Sequence, residues 1–340
     1  LFIAGFQWGP PTHFNPFGQS AGWPAGESSM QLVYETLLRY NIITGELEPG
    51  LGTGLERPDD NTFVIPLQKG AKWHDGKPVT VEDVVYRFEL SKRHAELDSS
   101  LWNYITAVEA RGDSVAFLLK PDNYNPGLVE SAISNAWILP KHIWEALEKK
   151  GGPIGNHENI DPVGSGPYKI AHYNQQQIAL ERLDDYWGKK VFGGLPVPKY
   201  INHPIFKGNQ DGDLAFEQGK IDVMQQFTPR IWEMWEKKKK PVSTWFRKEP
   251  YHVSASIPML VINTTKKGLN DPRVRRALAF AIDTADIAEK AMSRYSQPAQ
   301  SSIIVPSGAE EKYFDQANVD EHGWKYDPAE SKRILEEELG

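Results

Sequence analysis

Two domains of mixed α/β architecture are predicted for this chain, on three observations. Its 340 residues are about twice the length of an ordinary domain. Short runs rich in β-branched and aromatic residues alternate with amphipathic stretches that open on recognisable helix caps. Hydrophobic residues make up 40% and charged residues 24%, a globular balance that excludes a disordered or collagen-like chain.

The elements follow in order. Leu1-Phe2-Ile3-Ala4-Gly5-Phe6 reads as a strand starting at the first residue. It has no basic n-region and is too short for a signal-peptide core, so the numbering is expected to begin inside a trimmed product. Phe63-Val64-Ile65-Pro66-Leu67 is a strand, placed at an edge because Pro66 has no N–H for a ladder. A turn at Gly70 leads to a second at Asp75-Gly76. Thr80 then caps a helix, with Asp83 as the partner of a capping box and Val81, Val84, Val85 and Phe88 on one face. Residues 114–119, 168–170 and 178–182 are further strands.

Helix signals strengthen beyond residue 227. Thr228-Pro229 starts one, with Ile231, Trp232 and Trp235 on one face, four lysines at 237–240 suited to the negative end of its dipole, and Pro241 as its stop. Residues 259–263 read as a buried strand. Asp271-Pro272 opens a helix with Val274, Leu278, Ala281 and Ile282 on one side, and Asp327-Pro328 opens the last, with Glu330 completing a capping box. The polar segment 266–270 is the natural domain boundary, giving domains 1–265 and 266–340.

Several classes of chemistry are excluded or disfavoured. The charge of −7 argues against nucleic acid as a partner. Cysteine is absent, which removes disulfides, thiolate metal sites and a cysteine nucleophile, and no run of 18 apolar residues exists. The nine histidines show no zinc spacing, and neither a metal nor a cofactor is expected. Gly18-Gln19-Ser20-Ala21-Gly22 matches the nucleophile-elbow pattern, but Asn15-Pro16 before it and Trp23-Pro24 after it rule out the strand and helix that chemistry needs. Gly50-Leu51-Gly52-Thr53-Gly54 leads into Pro58 instead of a helix and is no dinucleotide fingerprint. His74 is read as a solvated turn histidine, and the sequon Asn263-Thr264-Thr265 is discounted as the end of a buried strand. No catalytic residue emerges.

A set of segments, in order, resembles one family. They are 34–38, 45–51, Lys72-Trp73-His74-Asp75-Gly76-Lys77-Pro78 with its continuation to Val84, 139–143, Pro162-Val163-Gly164-Ser165-Gly166-Pro167-Tyr168, Asp185-Tyr186-Trp187-Gly188, 219–223, 263–283 and 326–330. Together they resemble the family 5 extracellular solute-binding proteins of ABC importers, which bind oligopeptides, dipeptides, nickel complexes and oligosaccharides. The resemblance implies a two-lobed type II periplasmic-binding-protein fold with an extra N-terminal subdomain. It also implies a second lobe that is truncated here, a location in the periplasm or on the outer face of the membrane, and the transmembrane permease subunits as partners of a monomer. The signature residues themselves read as turn and cap chemistry: Gly164 and Gly166 as a tight turn, Asp222 as a local cap or pair.

A binding protein needs no nucleophile, only a cleft that closes on its solute. The 11 tryptophans and the amides beside them suit an oligosaccharide, since indoles stack on sugar faces and amides both donate to and accept from hydroxyls. Residues 7–17 resemble the sugar-binding members of the family, which implies a β-linked cello- or manno-oligosaccharide. The expected ligand contacts are Gln7, Trp8, Trp23, Trp102, Asn103, Trp137, Gln226 and Asn263. An oligopeptide is the alternative ligand. A glycoside-active enzyme or a purely structural surface protein is a weaker reading from another class.

Overall fold

The computed structural model describes residues 1–25, 28–97, 99–225, 233–246, 248, 251, 259–291, 295 and 297–338. They cluster into two compact units. The first is Leu1–Tyr40 with Leu47–Gln226, and the second is Asn41–Glu46 with Phe227–Gly340. The boundary expected at 265/266 therefore lies inside the second unit.

The first unit carries β1 (Ile3–Ala4), β2 (Leu38–Tyr40), β3 (Leu47–Pro49), β4 (Glu56–Asp59), β5 (Thr62–Pro66), β6 (Ile105–Arg111), β7 (Ser114–Leu119), β8 (Tyr168–Tyr173), β9 (Gln177–Arg182), β10 (Tyr200–Pro204) and β11 (Val223–Met224). Its helices are α1 (Val81–Arg93), α2 (Pro126–Asn135), α3 (Lys141–Glu148) and α4 (Asn209–Glu217). Antiparallel sheets run β4-β5-β7-β6 and β10-β9-β8, β2 and β3 form a hairpin, and β1 pairs with β11 in parallel.

The strand 63–67 is present, but as an interior strand, between β4 and β7. Pro66 is tolerated because it is the last residue of β5, where its carbonyl still accepts from the Thr53 N–H at 2.8 Å. The inward side chains of this sheet, Phe63, Ile65, Val115 and Phe117, meet Val84 and Phe88 of α1 to form one core. A second core gathers Phe14, Trp23, Tyr34, Trp144, Tyr168 and Leu180.

The entry to α1 is as expected. Thr80 and Asp83 exchange both bonds of a capping box. Asp83 also accepts from Trp73 Nε1 (3.2 Å) and from the Lys141 N–H (2.8 Å), so one buried carboxylate fixes the preceding turn, α1 and the start of α3. Thr80→Ala is expected to lower unfolding free energy by about 1 kcal/mol, read from urea denaturation. Thr80→Ser should lose much less.

The second unit contains α5 (Pro272–Ala281), α6 (Thr284–Lys290), α7 (Gln316–His322) and α8 (Pro328–Arg333). Asp271 caps α5 through the Arg273 N–H, and α8 packs on α5, with Ser331 Oγ donating to the Ala277 carbonyl at 2.7 Å. Three expectations change here. Residues 259–263 form no strand: Met259, Leu260 and Val261 are 71%, 69% and 87% exposed, and no described strand pairs with them. Asp327 caps α8, but the Glu330 carboxylate turns to Arg333 at 2.7 Å instead of closing a capping box. Of the helix expected after Thr228-Pro229, Glu233–Lys237 forms one π-helical turn, while 228–232 lie outside the described residues.

Candidate functional site

The site is built from the first strand outward. After β1, Gly5 takes a positive φ of 97°, which turns the chain so that Phe6, Gln7 and Trp8 leave the sheet. Gln7 is half-buried and spends its amide on the protein: Nε2 donates to the Gly9 carbonyl at 2.7 Å, and Oε1 accepts from the Trp23 N–H at 2.9 Å. Gln7 thus braces one loop against another. Trp23 is 1% exposed. Its ring meets His203 at 5.3 Å and Phe6 at 6.1 Å between centroids, so neither face is open to a ligand. Burial pushes the His203 imidazole down to about 4, leaving it neutral, with Nε2 accepting from the Phe6 N–H at 3.2 Å.

Trp8 differs from Trp23. It is half-buried, and the Cη2 edge of its indole lies over α4 at Gly212. Trp102 is also half-buried. Its Nε1 donates to Ser91 Oγ at 2.9 Å, and Lys92 Nζ stands 3.6 Å from its ring centroid, so one face already has a cation over it. The exposed Asn103 ends the same 3₁₀ turn, its carbonyl accepting from Asn123. Trp137 is half-buried against the second core, its carbonyl accepting from Arg87 Nε at 3.1 Å. Asn263 belongs to the second unit and is exposed, with Oδ1 accepting from the Thr265 N–H and hydroxyl. Gln226 lies outside the described residues.

The structure therefore brings Gln7, Trp8 and Trp23 into one neighbourhood, and hangs Trp102 and Trp137 from α1 through Ser91 and Arg87. A cavity of about 310 Å³ sits beside that face of α1, lined by Arg87, Ser91, Leu101, Ser131 and Asn135 among others. The second unit holds a larger, mainly apolar groove of about 830 Å³, bordered by Met259, Ile282, Ile303 and Trp324. Asn263 does not line it. Among the described residues, no cluster of histidine and carboxylate side chains could hold a metal, and no helix is long and apolar enough to cross a membrane.

The signature segments hold one another together. His74 is clamped between two glycines, with Nδ1 accepting from the Gly164 N–H (3.2 Å) and Nε2 facing the Gly166 carbonyl (2.9 Å). Burial lowers its pKa. This replaces the solvated histidine expected from sequence, and Asp75 pairs with His142 at 2.7 Å instead. Glu35 is buried, takes the Tyr186 hydroxyl, and accepts from Trp187 Nε1 at 3.1 Å. Burial raises its carboxyl to about 7, against the opposing pull of those donors and of Arg39. Asp222, expected to pair locally, accepts instead from the Phe2 N–H at 2.8 Å and ties β11 to the first strand. Sequence reasoning missed Gly212, over which both the edge of Trp8 and the Met224 methyl lie; a glycine in the middle of an amphipathic helix was the available signal.

Residues 46–339 match the family described as bacterial extracellular solute-binding proteins, family 5 (middle). The chain belongs to that family. Among solved structures it resembles a Thermotoga maritima periplasmic oligopeptide-binding protein determined with mannohexaose bound, at 30% identity and a TM-score of 0.86, covering 99% of this chain and 61% of that one. Among curated proteins it is 30% identical to a probable peptide-binding protein of Agrobacterium fabrum over 76% of this chain and 44% of that one. It is 27% identical to the dipeptide-binding protein of Escherichia coli over 97% of this chain and 62% of that one. The chain thus spans between 44% and 62% of the length of these relatives. The type II periplasmic-binding-protein fold expected from sequence is the fold of these structural neighbours.

Proposed function

We propose that this protein is the solute-binding component of an ABC importer, working in the periplasm or at the outer face of the membrane. It captures a β-linked cello- or manno-oligosaccharide and presents it to the permease without changing a covalent bond. The observation that carries this reading is the likeness to the mannohexaose-bound protein at a TM-score of 0.86 and 30% identity. The half-buried Trp8, leaving the end of β1 with part of its ring free, supplies an aromatic surface of the kind a sugar face needs. Trp102 and Trp137 stand as lesser contacts, with Asn103 as an exposed amide beside Trp102. Trp23 and Gln7 act behind Trp8, as the packed support of its loop.

An oligopeptide is the second reading, favoured by the names of the curated relatives, which are peptide- and dipeptide-binding proteins. Titration calorimetry of the full-length protein with mannohexaose, cellopentaose and a mixed tripeptide pool separates the two. Saturable heat from the sugars with none from the peptides is the expected result, and the opposite pattern overturns it. Trp8→Ala should weaken sugar binding by about 2 kcal/mol, about thirtyfold in Kd. Trp23→Phe, a change inside the core, should alter Kd by less than about threefold.

A further inference from the structure

Trp8 rests on a gap in a helix. Gly212 lies in the interior of α4 and is buried. A Cβ built on it would stand 2.9 Å from Met224 Cε, 3.6 Å from Trp8 Cη2 and 3.7 Å from Met224 Sδ. The Met224 methyl therefore occupies space that a Cβ would claim, and the edge of the indole stands just beyond it, at van der Waals distance. Glycine is the poorest helix former after proline, so local propensity gives no reason for it here. Gly212 takes no left-handed φ, and its N–H and neighbouring turns are ordinary helix. What distinguishes the position is the close approach of two side chains from elsewhere in the chain. Met224 belongs to β11, which pairs in register with Ala4 of β1, the strand that leads to Trp8. Helix, strand and indole thus meet at one backbone atom, beside a small core of Ala4, Ala215 and Ile221.

We infer that Gly212 is a positioning residue for ligand binding: its missing side chain, filled by Met224, sets the height and tilt of the Trp8 ring. Gly212 does not itself touch the solute. This rests on the reading of Trp8 as a sugar-stacking surface. An alanine there displaces the Met224 methyl, the flexible end of a thioether, and reaches the indole edge only in van der Waals contact, so it moves the ring through Met224. A leucine extends beyond that contact and presses on the ring edge itself.

The test uses the full-length protein, mannohexaose as probe, and Gly212→Ala and Gly212→Leu, each with and without Trp8→Ala. Gly212→Ala is expected to weaken binding about threefold and Gly212→Leu by tenfold or more, with thermal midpoints held within a few degrees. In the Trp8→Ala background neither should weaken binding further, because the ring they move is gone. A merely structural role would lower affinity equally in both backgrounds, and that result overturns the inference. So does a folded Gly212→Leu protein with unchanged affinity. Should Gly212→Leu fail to fold, Gly212→Ala decides: the emission contributed by Trp8, taken as the difference from the matched Trp8→Ala protein, must shift. An unshifted emission overturns the seat. If Trp8→Ala alone leaves mannohexaose binding intact, the platform reading of Trp8 fails, while the emission shift still decides whether Gly212 sets the ring.

Discussion

Gly164→Ala is expected to destabilise the first unit by about 3 kcal/mol or more, and to leave little folded protein at 37 °C. A Cβ at this position would fall 1.8 Å from the Val33 carbonyl oxygen and 2.6 Å from its carbon. Both are backbone atoms, so no rotamer change relieves the overlap. The approach is fixed from both sides. The Gly166 N–H donates to the Val33 carbonyl at 2.8 Å, the His74 backbone N–H donates to the Gly164 carbonyl at 2.8 Å, and His74 Nδ1 accepts from the Gly164 N–H at 3.2 Å. Relieving the clash therefore breaks the contact between the 72–78 turn, the 162–168 segment and the strand-leading residues 33–36. Gly54→Ala is the control, since nothing lies within 4 Å of a Cβ there; its effect should stay within about 0.5 kcal/mol. Equilibrium urea unfolding of the three proteins measures both. A Gly164→Ala midpoint matching that of Gly54→Ala would show that the two segments are not locked together as described.

That prediction also marks what a sequence can and cannot show. The caps at Thr80, Asp271 and Asp327 were legible because each acts within three residues of itself. The family was legible because its signatures are turns and caps of this local kind. The partners of those signatures were not. Gly164 and Gly166 read as turn glycines, but neither has a positive φ; both are needed for close approach to residues 32 and 33, some 130 positions away. His74 and Asp222 likewise find their partners 90 and more positions off. The indoles show the same limit. Trp8 and Trp23 are indistinguishable as letters, and only packing separates a half-buried ring over α4 from one enclosed by Phe6 and His203. Pro66 misled for a related reason: the missing N–H constrains the end of a strand as well as its edge.

Glu35→Gln should change how stability depends on pH. Glu35 titrates near 7 in the folded protein, above the ordinary glutamate value of 4.5. Below about pH 4.5 it is protonated in both states and imposes no penalty. As the pH rises to 7 the unfolded chain releases this proton while the native state keeps it, so unfolding becomes easier, by about 3 kcal/mol over the window. His203 works in the other direction. Its folded value of about 4, below the ordinary 6.5, means that the unfolded chain takes up a proton first as the pH falls, so its contribution is complete above 6.5 and is lost toward 4. The two buried groups oppose each other between pH 4.5 and 6.5, and the wild-type stability curve is expected to be nearly flat there on their account. Removing the Glu35 titration unmasks His203. The Glu35→Gln protein should therefore gain stability relative to wild type as the pH rises from 4.5 to 7, with a difference approaching 3 kcal/mol, whatever constant cost the lost Tyr186 and Trp187 bonds impose. Urea unfolding at pH 4.5, 5.5, 6.5 and 7.5 reads this directly. Parallel curves for the two proteins would mean that Glu35 is ionised in the native state across the whole range, with its charge held by the two ring donors and Arg39 and not by a bound proton.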